Sequence, residues 1–133
     1  MQKIVRLFSS EKEQENLISE EANAILRISL DRKANYVSAK DIVFFSQNPN
    51  RFYQVEFLAI CDSFVSVIQF FGLEKIFPNQ SIDTLLSRFN SIHVKTLSKK
   101  WKFVVMELVY IPDFKIKAAE NISTFNYKPL DLF

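Results

Sequence analysis

Residues Arg51–Phe71, RFYQVEFLAICDSFVSVIQFF, contain the longest apolar stretch of the chain, and the structure they adopt decides the fold class. The stretch is longer and more apolar than an ordinary strand, which has about 5–6 residues. Its polar residues Asp62, Ser66 and Gln69 fall on one narrow stripe, as they would on a buried helix. We therefore expect a central helix here, with Gly72 in the left-handed conformation that favours glycine after a helix.

Another helix is expected to begin near residue 11, after a short strand at Lys3 to Phe8. Ser10 and Glu13 form the pattern of a capping box, in which the serine side chain accepts from a first-turn amide and the glutamate side chain reaches back. The apolar residues that follow recur at the spacing of one buried helix face. They are Leu17, Ile18, Ala22, Ile25, Leu26 and Leu30.

Two further helices are predicted from capping residues and apolar spacing. Ser38 with Asp41 can cap a brief helix that runs to Phe45 and ends at the turn-forming Asn48-Pro49-Asn50. Ser81 can cap a longer helix whose apolar residues repeat every three or four positions. These residues are Ile82, Leu85, Leu86, Phe89 and Ile92.

The segment after Leu97 has two interpretations. β-Branched and aromatic residues within Phe103–Ile111 favour a strand. A new helix at this point would place several lysines at its positive end, which is unfavourable, so we favour the strand. A single helix over 82–111 avoids that penalty and remains the alternative. After Pro112-Asp113, the residues Phe114–Lys117 alternate as a second strand would.

These elements predict an α+β fold. We expect one compact, predominantly helical domain over residues 1–125 with a few short strands, followed by a C-terminal tail at 126–133. An all-α bundle is the alternative. The chain has 133 residues, of which 48% are hydrophobic, enough for one domain and too few for two. Its single glycine argues against an all-β fold, because hairpins and bulges use glycine.

The composition excludes several kinds of site. One glycine cannot build the glycine-rich loops that bind phosphates. Cys61 and His93, each the only residue of its type, cannot form a four-ligand zinc site or a disulfide framework, and we expect no cofactor. A lone cysteine in an apolar run is typical of a reducing compartment, so we expect a cytoplasmic protein. Glu56 and Asp62 within the longest apolar stretch argue against a membrane span.

Basic and aromatic residues are interleaved in the segment 95–117. Lysine side chains can neutralise phosphates, and an indole ring can stack on an unpaired base. The segment therefore predicts a nucleic-acid-binding module as the alternative function. The residues expected to contact nucleic acid are Lys95, Lys99, Lys100, Trp101 and Lys102.

The four residues Pro112-Asp113-Phe114-Lys115 follow an apolar run that ends at Ile111. If folding brings Glu107 or Asp83 beside Asp113, the carboxylates could hold magnesium while Lys115 orients an attacking water. The four residues resemble the nuclease superfamily named for its Pro-Asp and Asp/Glu-x-Lys elements, although both elements here are the same residues. The resemblance implies a metal-dependent nuclease as a remote alternative.

The C-terminal segment places two leucines and a phenylalanine around one acid, in Leu130, Asp131, Leu132 and Phe133. It resembles the bacterial sliding-clamp-binding peptide, Gln-Leu-Ser/Asp-Leu-Phe, with Pro129 where that family has glutamine. Residues 129–132 are also similar to the Pro-x-Asp-Leu core of a eukaryotic corepressor-binding peptide. Either resemblance implies docking in a partner's pocket, and the first implies an association with DNA replication or repair. Alternatively, the segment folds back onto the domain's own core.

The main functional prediction is a non-enzymatic protein-interaction module, such as an adaptor, a regulator or a small subunit of a complex. Fourteen phenylalanines present more large apolar surface than a small domain easily covers. Uncovered apolar surface favours a protein partner or self-association. One candidate surface contains Phe70, Phe71 and Phe77, and the other is Leu130 to Phe133.

Overall fold

A computed structural model of the protein describes residues 2–29, 37–93, 102–117, 120–125, 127–130 and 132. The strands are β1 (Ile4–Leu7), β2 (Ala24–Ser29), β3 (Ile42–Phe45), β4 (Asn48–Cys61), β5 (Lys102–Tyr110), β6 (Ile122–Thr124) and β7 (Tyr127–Pro129). The helices are α1 (Glu11–Ile18), α2 (Phe64–Phe70) and α3 (Ile82–His93), and a short 3-10 turn spans Leu73–Lys75. No helix in these described ranges is both long and apolar enough to cross a membrane.

The described strands form one mixed sheet of seven strands in the order β6-β1-β3-β4-β5-β2-β7. β1 runs parallel to β3 and to β6, whereas the other neighbouring pairs are antiparallel. The prediction of a predominantly helical α+β domain is therefore wrong, and so is its all-α alternative. The sheet is the main element of the domain, and the helices cover it.

The expected central helix over Arg51–Phe71 is wrong because its first half is strand. β4 continues to Cys61, and only α2 at the end of the stretch is helical. Helices cover both faces of the sheet, so β4 has apolar side chains on both sides and lacks the alternation of a half-buried strand. Asn48-Pro49-Asn50 belongs to β4 and is no helix end. Gly72 has a φ of −69° and therefore no left-handed cap conformation.

Each face of the sheet carries its own core. One face, which we call the helical face, is covered by α2, α3 and the 3-10 turn. These elements pack on β2, β5 and the end of β4, with Phe64, Val67 and Leu85 buried there. On the α1 face, Leu17 packs among residues of β1 to β5. A third cluster covers the start of β4, where Phe114 packs against Phe52 with ring centroids 5.1 Å apart.

The long helix expected from residue 11 to about residue 30 is wrong after Ile18. The cap at its start is confirmed, because the Ser10 hydroxyl accepts from the Glu13 amide at 3.1 Å. The Glu13 carboxylate turns instead to Arg27, whose Nη1 donates to Oε2 at 2.8 Å. The apolar residues 24–29 form β2, which is buried along its whole length, so apolar spacing alone did not distinguish a buried strand from a helix face.

The residues expected to form a helix after Ser38 form β3 instead. Asp41 Oδ2 accepts from the Ser38 amide at 2.8 Å, but this contact closes a turn before the strand and caps no helix. Farther along, Phe114–Lys117 is irregular, so the second strand expected there is wrong. Its apolar side chains cover the sheet without pairing with it.

Three sequence predictions of secondary structure are confirmed. β1 lies within the strand expected at Lys3 to Phe8. α3 begins after Ser81, whose hydroxyl accepts from the Thr84 amide at 3.1 Å. β5 is a strand, so the single helix over 82–111 is wrong.

The C-terminal residues pack on the domain itself. β7 pairs with β2, and Leu130 and Leu132 are buried in the core of the helical face. Arg88 Nη1 donates to the Leu132 carbonyl at 2.7 Å, which ties this segment to α3. Of the two arrangements that the sequence left open, the described residues of the segment, Leu130 and Leu132, are folded onto the domain's own core.

Candidate protein-interaction groove

Half of β4 has an edge that no described strand covers, which we call its open edge. β3 pairs with β4 only as far as Gln54, and the next contacts on that side join Val55 to the turn before β3. The Val55 carbonyl accepts from the Lys40 amide at 2.7 Å, and the Val55 amide donates to the Asp41 carbonyl at 2.8 Å. Beyond Val55, no strand in the described part of the chain lies beside β4 on this side, although β5 continues to pair with it on the other.

A β-bulge turns the side chains of this open half. The register with β5 shifts between Val55 and Phe57, which adds Glu56 as an extra residue. After the bulge, Phe57 lies opposite Glu107 and Cys61 lies opposite Phe103, on the helical face. The bulge therefore brings an exposed phenylalanine onto the same face as α2.

An apolar groove of about 640 Å³ lies between the open half of β4 and the end of α2. Phe70 at the end of α2 is 76% exposed, Phe57 is 50% exposed and Ile60 is 44% exposed. The half-buried Phe71 ring lies beside that of Phe57, with centroids 5.8 Å apart. These exposed rings at one groove make it the candidate contact surface of the described residues.

Carboxylates dominate the rim of the groove. Lys75 Nζ lies 3.4 Å from Glu107 Oε1, and the Lys102 ammonium contacts the Asp62 carboxylate. The Glu74 carboxylate lies close to Gly72, which is part of the groove wall. Asp62, Glu74 and Glu107 against Lys75 and Lys102 leave one more negative than positive charge here, although the whole chain has a net charge of +2.

Cys61 lies on the floor of the groove. Its thiol is buried, and this burial raises the pKa of Cys61, with a further contribution from the Asp62 carboxylate beside it. A raised pKa keeps the sulfur protonated near neutral pH, where a thiol is a poor nucleophile. The Cys61 thiol is thus a poor candidate for a nucleophile in this groove.

Two of the three phenylalanines predicted as one surface lie at this groove, and the third does not. Phe70 and Phe71 line it. Phe77 is 1% exposed inside the core of the helical face, so it is not accessible to a partner. The sequence analysis missed Phe57 and Ile60 because it placed both in a central helix that was expected to be buried.

Of the residues predicted to bind as a C-terminal peptide, the two that the structure describes are not on the surface. Leu130 and Leu132 are buried in the domain core, while Asp131 and Phe133 lie outside the described residues. Docking through the two leucines would require them to leave that core.

Four of the five residues proposed to contact nucleic acid lie outside the described residues. They are Lys95, Lys99, Lys100 and Trp101. Lys102 begins β5, and its ammonium contacts Asp62 at the groove rim.

Asp113 and Glu107, two of the carboxylates considered for magnesium, lie at different places on the surface. Asp113 lines a second depression with Gln2 and Gln54, whereas Glu107 lines the groove and pairs with Lys75. Within the described ranges, no three His, Cys, Asp or Glu side chains are grouped closely enough to hold a metal ion.

The fold, although not the sequence family, has known counterparts. No family model and no curated protein matches the sequence. The crystal structure of hypothetical protein PH0355 is similar, with a TM-score of 0.64 and 20% identity over 84% of this chain and 100% of that one. The solution NMR structure of protein PF0455 from Pyrococcus furiosus is also similar, with a TM-score of 0.54 and 21% identity over 84% of this chain and 98% of that one. At these identities the likeness establishes the fold alone.

Proposed function

We propose that the protein is a non-enzymatic protein-interaction module that holds a partner protein in the groove between β4 and α2. One observation carries the proposal: Phe57 and Phe70 remain exposed at an apolar groove that the Phe71 ring also lines. Burying such side chains contributes about 25 cal/mol per Å² of apolar area removed from water. A partner with matching apolar side chains would therefore gain its binding free energy chiefly here.

The charges around the groove support binding more than catalysis. Lys75 and Glu107 pair with each other, and the Cys61 thiol is held protonated by its buried position. Neither arrangement supplies an activated nucleophile or a free acid–base pair. The single buried cysteine also fits the cytoplasmic location expected from the sequence.

A matched pair of substitutions tests the proposal. Phe70→Ser removes the most exposed groove ring, whereas Phe8→Ser removes a ring that is 64% exposed outside the groove lining. The tagged wild-type protein and both variants are purified from native extract, and the proteins that accompany them are quantified. We expect Phe70→Ser to lose the partner and Phe8→Ser to keep it, with similar melting temperatures. Equal retention by both variants would contradict the proposal.

A further inference from the structure

Successive residues of a strand direct their amide and carbonyl groups to opposite sides. The hydrogen bonds of β5 therefore show which residues of β4 direct these groups away from β5, toward the open edge. The Leu108 amide donates to the Asn23 carbonyl at 2.8 Å, so Leu108 directs its backbone groups toward the β2 side of β5. Backbone direction alternates along a strand, and Met106 and Val104 therefore turn the same way. Their partners across the pair are Leu58 and Ile60.

Leu58 and Ile60 consequently turn their amides and carbonyls away from β5, toward the open edge. Val55, on the other side of the bulge, shows the same direction directly, because its amide and carbonyl bond Asp41 and Lys40. Beyond it, no described backbone group pairs with those of Leu58 and Ile60. An unpaired strand edge of this kind is a template for a further strand.

The side chains beside this edge suit an extended peptide. A strand added to β4 would lie about 4.8 Å away, and its side chains would alternate between the two faces of the sheet. On the helical face they would meet Phe57, Phe70 and Phe71 in the groove. On the opposite face they would meet the half-buried Leu58 and the exposed Ile60. Both faces thus favour apolar side chains at the centre of the added strand.

The acidic rim specifies the charge of that strand. Asp62, Glu74 and Glu107 lie at the groove against Lys75 and Lys102, while Glu56 and Lys40 lie at the Val55 end of the open edge. In the described part of the chain, Glu56 and Glu74 form no ion pair, so they are available to cations. Basic residues flanking an apolar centre would complement this surplus.

The same rim disfavours a second copy of the chain. If two β4 strands paired antiparallel about Ala59, the outward-facing Leu58 of one copy would pair with Ile60 of the other. Glu56 would then lie directly opposite Asp62 of the other copy, and like charges in that position are destabilising. A partner with basic residues avoids this repulsion.

We propose that an extended segment of a partner protein, apolar at its centre and basic at its ends, adds as a strand to β4 at Leu58 and Ile60. This inference rests on the proposed function and specifies how the partner is held. Backbone pairing supplies affinity in such complexes, and the pockets for alternate side chains supply selectivity.

Synthetic peptides test the pairing directly. The probe is the acetylated and amidated peptide Lys-Lys-Val-Phe-Val-Leu-Val-Lys-Lys, and its control carries glutamate in place of every lysine. Two further versions carry N-methyl groups on alternate backbone amides. One version is methylated at odd-numbered residues of the peptide and the other at even-numbered residues. We expect the lysine probe to bind, the glutamate version to bind at least roughly tenfold more weakly, and only one N-methylated version to lose binding. Absence of binding by the lysine probe at millimolar concentration, or equal binding by both methylated versions, would overturn strand addition.

The protein side of the pairing has its own matched variants. Ile60→Pro removes an outward amide, and Ile60→Ala shortens the same side chain while keeping that amide. We expect Ile60→Pro to weaken probe binding roughly tenfold more than Ile60→Ala, and amide exchange at Leu58 and Ile60 to slow when the probe binds. Unchanged exchange at both amides would overturn the inference. If Ile60→Pro does not fold, the methylated peptides and the exchange measurement still decide.

These outcomes separate the two proposals. If Phe70→Ser abolishes capture of the native partner while both methylated peptides bind equally, the groove binds a partner but not as an added strand. If Phe70→Ser has no effect on partner capture and the lysine probe does not bind, the proposed function and the strand addition both fail.

Discussion

Arg27 illustrates how one side chain can join two elements on the α1 face. It is fully buried on β2 and donates to the Glu13 carboxylate of α1 and to the Phe8 carbonyl, the latter at 2.7 Å. Buried charges are tolerated only when they are paired, and removal of one partner leaves the other uncompensated. The sequence identified Glu13 as a capping residue but could not identify its partner, because the pairing depends on a long-range contact between α1 and β2.

Replacing Arg27 should therefore destabilise the fold strongly. Arg27→Met leaves Glu13 buried without its cation, and we expect the free energy of unfolding to fall by about 3–5 kcal/mol. Arg6→Met, at an exposed position of β1, should change it by less than about 0.5 kcal/mol. Urea denaturation of both variants measures the difference, and similar losses would show that the buried pair has no special role.

Cys61 should react slowly with alkylating reagents in the folded protein. Burial raises the pKa of its thiol, so the reactive thiolate is scarce near neutral pH and becomes abundant only at a higher pH than in the unfolded chain. The rate of iodoacetamide labelling, followed from neutral to alkaline pH in folded and in urea-unfolded protein, should show a midpoint displaced upward in the folded state. Coincident midpoints would contradict this assignment.

At the scale of elements, β4 and α2 show why the sequence pattern was ambiguous. The polar stripe interpreted as one helix extends from Asp62 through α2, which Ser63 caps by accepting from the Ser66 amide at 3.1 Å. The β4 residues before Asp62 have apolar side chains on both faces of the sheet, because each face of β4 is at least partly covered. Local periodicity cannot identify such a strand, whereas α3, with one apolar face and a capping serine, was predictable. Phe70 and Phe71 were predictable as site residues, but Phe57 and Ile60 required the sheet.

Proline substitutions test which amides of β4 face β5 and which face the open edge, and they need only a measurement of stability. Ala59 lies opposite Val105 and directs its amide to β5, so Ala59→Pro loses a ladder bond and leaves a buried carbonyl unpaired. We expect a loss of about 1–3 kcal/mol in the free energy of unfolding. Ile60→Pro removes an outward amide and should cost clearly less. Urea denaturation compares the two, and a larger loss for Ile60→Pro would reverse this assignment of the amides.

For the whole molecule, the decisive information is the order of the strands. The chain begins in β1, near one edge of the sheet, and returns to pair β6 with β1 and β7 with β2, so its last described residues complete the sheet at both edges. Such pairings join residues far apart in sequence, and neither composition nor capping residues encode them. The positive φ values for which glycine is commonly used are adopted by Glu20, Lys40 and Asn79, so a chain with one glycine still forms the turns of this sheet.

The C-terminal segment should contribute to the stability of the whole domain. Leu132 is fully buried in the core of the helical face, so Leu132→Ala should lower the free energy of unfolding by about 2–5 kcal/mol. Ile122→Ala, at an exposed position of β6, should have a much smaller effect. Thermal and urea denaturation of the two variants measure this. A Leu132→Ala variant as stable as the wild-type protein would indicate a segment free to dock elsewhere.

Photocrosslinking tests whether the groove between β4 and α2 is the surface that contacts a partner protein. Benzoylphenylalanine replaces Phe70 in one variant and Phe8 in another, and both are irradiated in native extract. We predict that the probe at position 70 forms a discrete crosslinked product with another protein and that the probe at position 8 does not. Crosslinking from position 8 with equal yield, or the absence of any product from position 70, would contradict the proposed function.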